Sequence, residues 1–519
     1  MEKAPRFSLA CLALAAVLLA LQLWFLPLPG IQQDEALFLK PFLRGDAALS
    51  NLTIGGVRVP VMLMDYVGCL KTWLYWPLAR VARLNAWSIR LPVCLVSMGA
   101  LLLLAALARS VTNTRVALSA AALLATDATF VLTNVFDWGP VALLIAGTLG
   151  VIALLVRFGQ SGGKGALGAA GLLAGVLLWS KAIFVFPLAG ILIACVAIYP
   201  RSVWRRVTGA NLAVATASLL IGASPLLLYN LQTLGATLQA ATRLEPIPIS
   251  GKLLMLRLTL DGKALEHYLV RSAPHEILQL NSATLGDLVK TWYRTSSLGP
   301  GSLLFPALLL SAVSLPFVRR SPLIRPIRFA WVAGLATEAL FLISGNAGAG
   351  PHHTVLLDPA PQFIVAATLA AILDRWNLRR RGLLLACGIV LLAVSNLVLL
   401  ASYHRAALQN GFSVYWTDAV RPLAAALRSQ NQPVAFLDWG IADPAQIESG
   451  NALRMVDPAP ARPGVLYVAH GADYQIDAAQ TRNFLANAAA GGLVASAPRT
   501  LSDSHGNPVF SMFSLQPEK

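Results

Sequence analysis

The chain has 519 residues, of which 56% are hydrophobic and only 12% charged, with mean hydropathy +0.65. A soluble domain carries about 25% charged residues, so this composition places most of the chain in lipid. The net charge of +16 and pI near 10.1 fall in short loops between apolar runs, the pattern of a membrane protein's inner side rather than of a nucleic-acid binder.

A membrane span needs about 20 apolar residues. Eleven runs are candidates, near 7–29, 88–108, 116–136, 139–156, 165–179, 183–199, 208–230, 302–318, 327–344, 359–373 and 382–402. The first follows Lys3 and Arg6 without a small-residue cleavage site and reads as a retained anchor, not a signal peptide. The fifth and sixth are short and joined only by Ser180-Lys181-Ala182. When loops alternate sides, Lys3/Arg6, Arg109/Arg115, Arg157/Lys164, Arg201/Arg205/Arg206, Arg319/Arg320/Arg325/Arg328 and Arg375/Arg379/Arg380/Arg381 all share one side. The short loops opposite hold only Lys181. The expected N-terminus is therefore cytoplasmic and the C-terminus extracytoplasmic, in an inner (plasma) membrane.

Three long segments then lie outside, at 30–87, 231–301 and 403–519. The first has two amphipathic stretches, Asp34–Leu43 and Tyr66–Ala82, the latter with the interfacial aromatics Trp73, Tyr75 and Trp76. The second combines Pro246, Pro248, Tyr268, Trp292, Tyr293 and Gly299-Pro300, and loops of this length are commonly functional or disordered. The third alternates helix-like pieces (414–429, 476–489) with β-like runs (433–438, 464–469, 507–514). The expected fold is a polytopic α-helical membrane protein with about eleven transmembrane helices in 1–402 and an outer α/β soluble domain in 403–519. The five cysteines are scattered and none lies in 403–519, so neither a disulfide framework nor a Cys-type zinc site is readable.

This topology gathers Asp34, Glu35, Lys71, Asp137, Lys181, His352, His353 and Asp358 on one face, where ionisable groups near lipid mark function by default. Each also has a plainer reading. Asp34 and Glu35 suit the first turn of a helix. Asp137, in Phe136-Asp-Trp-Gly-Pro140, suits an N-cap. Lys71 and Lys181 could snorkel to headgroups, or hold a phosphate as point charges. For His352-His353, a hydrogen bond to ligand or backbone is favoured over a metal. Asp127 and Glu338 fall inside spans, where helix–helix hydrogen bonding is expected. The absence of a P-loop, a dinucleotide glycine fingerprint, His-Glu-x-x-His or Asp-x-Asp argues against ATP-driven transport and against a cytoplasmic nucleotide-sugar donor.

The Asp34-Glu35 pair just after the first span, followed by Gly68-Cys-Leu-Lys71-Thr-Trp-Leu-Tyr75 and Trp87-Ser-Ile-Arg90-Leu-Pro92, resembles the C-type membrane glycosyltransferases. Within them the series is similar to the protein O-mannosyltransferase and aminoarabinose transferase branch. Lys71 is followed here by Thr-Trp rather than the branch's Pro-Pro, and Asp137 falls where the branch has a second acidic residue. The resemblance implies a polyprenyl-phosphate sugar donor, an envelope acceptor hydroxyl (protein, lipid or glycan) and inversion. It gives Asp34 as base, Glu35 as its orienting neighbour, Asp137 as a second acidic group and Lys71 as phosphate contact, with Lys181, His352 and His353 as further contacts. No spacing demands a metal, although a divalent ion could use oxygens of Asp34, Glu35 and Asp137. Segment 231–301 would close over bound donor. The alternatives are a lipid or glycan flippase, which predicts repeated halves around a midplane site, and a non-catalytic scaffold for envelope assembly.

Overall fold

The computed structural model describes residues 4–43, 48–243, 246–271, 298–376, 380–474 and 478–518, together with residue 286. Apolar α1 (Ala4–Phe25) gives way to α2 (Gln33–Leu37), which opens with a capping box between Gln32 and Glu35, and α3 (Lys40–Leu43). Three strands follow that the sequence reading did not anticipate: β1 (Ser50–Ile54), β2 (Val57–Met64) and β3 (Val67–Gly68), antiparallel in the order β1-β2-β3. Gly55 and Gly56, at φ 57° and 79°, supply the left-handed pair that a two-residue hairpin turn requires.

The next helices are α4 (Leu70–Val81), α5 (Ala86–Val111), α6 (Thr114–Thr126), α7 (Ala128–Thr133), α8 (Val141–Ser161), α9 (Lys164–Ser180), α10 (Val185–Ile198), α11 (Pro200–Arg206) and α12 (Gly209–Gln232). The run expected as one span at 116–136 is broken at Asp127. Its carboxylate accepts the Phe130 N–H at 2.9 Å, so Asp127 caps α7, and it also hydrogen-bonds the side chain of Gln362 on a later helix, the helix–helix contact expected of it. They are followed by α13 (Ala236–Arg243), α14 (Ile249–Leu260), α15 (Glu266–Leu269), α16 (Leu304–Val313), α17 (Ile324–Ile343), α18 (Pro351–Thr354), α19 (Ala360–Arg375) and α20 (Arg381–Asn410). Glu338 on α17 has no hydrogen-bond partner among the described residues, contrary to expectation. Its electrostatic partner is Lys252 on α14, whose ammonium donates to the Phe341 and Ser344 carbonyls. Trp292 and Tyr293, expected to belong to a cover, lie outside the described residues.

Among the described residues, seven helices are long and apolar enough to cross a membrane: α1, α5, α8, α12, α17, α18 taken with α19, and α20. Residues Ala182–Ile198 with α11, bent by 104°, form an eighth candidate, and α6, α9 and α16 are shorter apolar helices. In lipid, helices gain little from burying apolar surface and associate through close backbone approach. Helices α9 and α12 illustrate this. A Cβ on Gly175 would lie 2.2 Å from the Leu219 carbonyl oxygen, and one on Gly222 2.2 Å from that of Leu172.

The C-terminal part adds α21 (Val420–Gln430), β4 (Val434–Phe436), α22 (Ala442–Glu448), β5 (Leu466–His470), α23 (Ala478–Ala490), β6 (Leu493–Ala495), β7 (Arg499–Ser502) and β8 (Pro508–Pro517). The sheet order is β4-β5-β8-β6, with β7 also on β8; β4 and β5 are parallel. Strand alternation sends Val434, Leu466 and Val468 to one apolar layer and Ala435, Tyr467 and Phe513 to the other. Helix α22 and β6–β7 were not foreseen. Helix α22 seats this part on α2: Ile447 packs with Ile31, Ala36 and Leu39, and Gln33 donates to Asp443 at 2.8 Å.

Substituting Gly175→Ala should cost about 1–3 kcal/mol by forcing α9 from α12. Gly99→Ala, on an exposed face with open space around it, should change stability by less than about 0.5 kcal/mol. Thermal unfolding in detergent distinguishes the two; equal midpoints contradict the packing described.

Candidate active site

The site begins with Arg90, fully buried on α5. Its Nε donates to Glu35 Oε1 at 2.7 Å and its Nη2 to Glu35 Oε2 at 2.8 Å. The remaining donors reach the carbonyls of Leu26 (2.7 Å), Pro29 (3.2 Å) and Gly30 (2.6 Å). Its guanidinium also lies over Phe136 and Trp416, at 5.0 and 5.8 Å from the ring centroids. The fork geometry suits arginine to this work and would not suit lysine. The chain leaving α1 is pinned from the other side by Gly30 N–H donating to the Trp416 carbonyl at 3.0 Å. A Cβ on Gly30 would sit 2.0 Å from the Thr417 oxygen.

With Glu35 committed to Arg90 and to the Gln32 N–H (3.1 Å), the neighbouring Asp34 turns elsewhere. It is partly exposed, hydrogen-bonded by the side chains of Gln32 and Trp138, and under the positive field of Lys181 and Lys71. Burial pushes its carboxyl above the ordinary carboxylate range, an effect these groups oppose without cancelling.

Lys71 on α4 forms a buried ion pair with Asp137, Nζ to Oδ2 2.6 Å, and donates to the Gly139 carbonyl at 3.2 Å. It also lies 4.6 Å from the Phe38 ring centroid. The other Asp137 oxygen accepts the Val141 and Ala142 N–H groups at 3.0 and 3.4 Å. Pro140 rather than Asp137 is the N-cap residue of α8, but Asp137 still satisfies two amides of that helix's first turn together with the ion pair. Lys181, just beyond α9, approaches Gly139 so closely that a Cβ there would be 3.2 Å from Nζ. Lys181 makes no ion pair among the described residues, and burial lowers its pKa to about 8 against the pull of Asp34 and Asp137. His352 stacks on Trp138 with centroids 5.0 Å apart, and His353 packs on His352 at 4.1 Å. Both Nδ1 atoms are buried without a hydrogen-bond partner among the described residues. His353 is within electrostatic reach of Lys181 and Lys252.

The structure therefore brings Asp34, Lys71, Asp137 and Lys181 into one cluster, joins His352 to it through Trp138, and sets Glu35 behind it in the Arg90 clamp. Sequence reasoning missed Arg90, Trp138, Lys252 and Trp416 as site members. An arginine or lysine within an otherwise apolar helix was the available signal for Arg90 and Lys252. Trp416 arrives from the far end of the chain with no local sign.

A carboxylate with raised pKa beside two ammonium groups can take a proton from a hydroxyl while the cations meet a nearby anion. Among the described residues, no three His, Cys, Asp or Glu side chains converge as metal ligands. Glu35 and Asp137 already serve cations and backbone amides, so the acidic residues do not fit a divalent ion as a set.

The profile of the dolichyl-phosphate-mannose-protein mannosyltransferase family matches residues 68–229, roughly a third of the chain. No curated protein sequence matches it. Among solved structures, ArnT from Cupriavidus metallidurans bound to undecaprenyl phosphate is similar with TM-score 0.56 and 14% identity, over 98% of each chain. The same protein in the apo state gives TM-score 0.57 and 14% identity, again over 98% of each chain. At this identity the likeness establishes the fold. The chain is a multi-pass membrane protein with the fold of a C-type membrane glycosyltransferase.

Arg90→Met should destabilise the protein by about 3–5 kcal/mol, because it strands the Glu35 charge in a dry setting. Thermal unfolding in detergent measures this, and an unchanged midpoint contradicts the clamp.

Proposed function

We propose that this chain transfers a sugar from a polyprenyl-phosphate donor to a hydroxyl-bearing envelope acceptor, with inversion, at the outer face of the inner membrane. The observation that carries this reading is Asp34, partly exposed and with raised pKa, beside Lys181 and the Lys71–Asp137 pair at the ends of apolar helices. The structurally similar ArnT binds undecaprenyl phosphate, and a lipid monophosphate suits a pair of lysines backed by hydrocarbon. A cavity of about 640 Å³ lies between α5, α8, α10, α17 and α19, lined by Leu104, Leu149, Ile191, Val196, Phe329 and Phe363. None of Asp34, Lys71, Asp137 and Lys181 lines it, and its apolar wall suits an isoprenoid tail, not the reacting groups. All eleven apolar runs cross in this reading, with basic loops inside and residues 403–519 outside as a separate domain.

The chemistry follows from the roles available. The acceptor hydroxyl docks on Asp34 and gives up its proton as its oxygen attacks the anomeric carbon. The bond from that carbon to the phosphate oxygen breaks on the opposite face, so configuration inverts and polyprenyl phosphate leaves. The charge gained by the phosphate is met first by Lys181, which has no competing ion pair among the described residues, and then by Lys71. Asp137 holds Lys71 in place and Glu35 holds α2, so both are positioning residues. The Nδ1 atoms of His352 and His353, without partners among the described residues, are further hydrogen-bonding partners for phosphate or sugar. The reading routes no step through a metal.

Asp34→Asn preserves size but cannot accept the proton, and transfer should fall roughly 10²–10⁴-fold, whereas a pure helix-cap role predicts near-silence. The assay is labelled polyprenyl-phosphate sugar and an envelope extract with purified protein in nanodiscs. The base works deprotonated, so kcat/KM should decline as pH falls through the raised Asp34 pKa, at less acid pH than the ordinary value near 4. It should also decline above about 8 as Lys181 loses its proton, and Lys181→Arg should move that alkaline limb upward. Full transfer by Asp34→Asn overturns the proposed function.

A further inference from the structure

An aromatic strip leads from Asp34 out to the C-terminal part of the chain. Trp138, which hydrogen-bonds Asp34, meets Tyr268 edge-on with centroids 4.9 Å apart. Tyr268 and Tyr415 are electrostatic neighbours, and Tyr415 meets Trp439 edge-on at 6.4 Å. The strip ends on Trp439, which is 45% exposed.

Trp439 is held where it is. It follows β4 at the end of the parallel β4–β5 pair, a usual place for ligand sites in open α/β sheets. Buried Asp438 accepts the Trp439 N–H through Oδ1 at 2.8 Å and bonds His470 Nδ1 through Oδ2 at 2.6 Å. Gly440, at φ 87°, turns the chain away immediately afterwards. A buried Asp–His pair and a left-handed glycine thus fix the backbone of an exposed indole. Four residues on, α22 is anchored to α2 through Gln33 and Asp443, which ties the turn to the helix that carries Asp34.

We infer that Trp439 and Tyr415 form a stacking subsite for a saccharide unit of the acceptor, leading its hydroxyl along Tyr268 and Trp138 to Asp34. The inference rests on the transfer reading above. Rigid indole and phenol rings suit a sugar ring, which offers C–H groups on its faces and hydroxyls on its edge. A lipid surface would favour basic residues beside the indole. Here the side chain immediately before it is the acidic Asp438, buried and bonded to His470.

The test uses the full chain in nanodiscs with two probes: lipid-free polysaccharide released from the host cell envelope, and a labelled polyprenyl-phosphate sugar. Trp439→Ala should weaken polysaccharide binding roughly tenfold or more, as truncation of an aromatic anchor does, while Trp439→Phe retains most of it and donor binding is the same in all three proteins. Equal polysaccharide binding by wild type and Trp439→Ala overturns the subsite and leaves the transfer reading standing. Trp439-dependent binding of a Ser/Thr-rich peptide in place of polysaccharide overturns it as well. If wild type takes no donor but polysaccharide binding still depends on Trp439, the subsite stands and the transfer reading fails.

Discussion

The site depends on one buried guanidinium. Burying a charge is costly unless every donor is used and an opposite charge is close. Arg90 meets both conditions through Glu35 and three carbonyls of the chain leaving α1. Those contacts decide where that chain goes, and so where α2 begins. With Glu35 turned to the protein interior, Asp34 one residue earlier is left to face Trp138 and Lys181. A carboxylate that serves structure and a carboxylate that remains open thus sit side by side because a single arginine takes one of them.

The second constraint is electrostatic economy among the lysines. Lys71 is neutralised by Asp137, which also satisfies two amides of the first turn of α8, so its charge is stably held at low solvent access. Lys181 has no such pair among the described residues, and burial brings its pKa to about 8. An anion that arrives beside Lys181 relieves the desolvation that depresses its proton affinity. Gly139 permits both lysines to approach one strip of backbone, its carbonyl taking Lys71 and its missing Cβ making room for Lys181.

Much of this was legible in the sequence where the signal is local. The long apolar runs gave α1, α5, α8, α12, α17 and α20, and Asp34, Lys71, Asp137 and Lys181 stood out as ionisable groups at the ends of those runs. The β1–β2 hairpin was missed although Gly55-Gly56 between β-rich stretches announces it. The break at Asp127 was hidden because hydropathy does not register a cap within an apolar run. What no local pattern carries is long-range pairing. That Arg90 would take Glu35, that Trp416 would close over the α1–α2 turn, and that α22 would seat on α2 are properties of the folded chain alone.

The central claim is that the Lys181–Lys71 end of the cluster receives a lipid-linked phosphate. Native mass spectrometry of the nanodisc-embedded protein titrated with undecaprenyl phosphate tests it without requiring the acceptor. The account predicts retention by wild type and a loss of roughly tenfold or more in Lys181→Ala, the value of one charge-assisted contact to phosphate. Equal retention by the two proteins, or none by wild type, would contradict it.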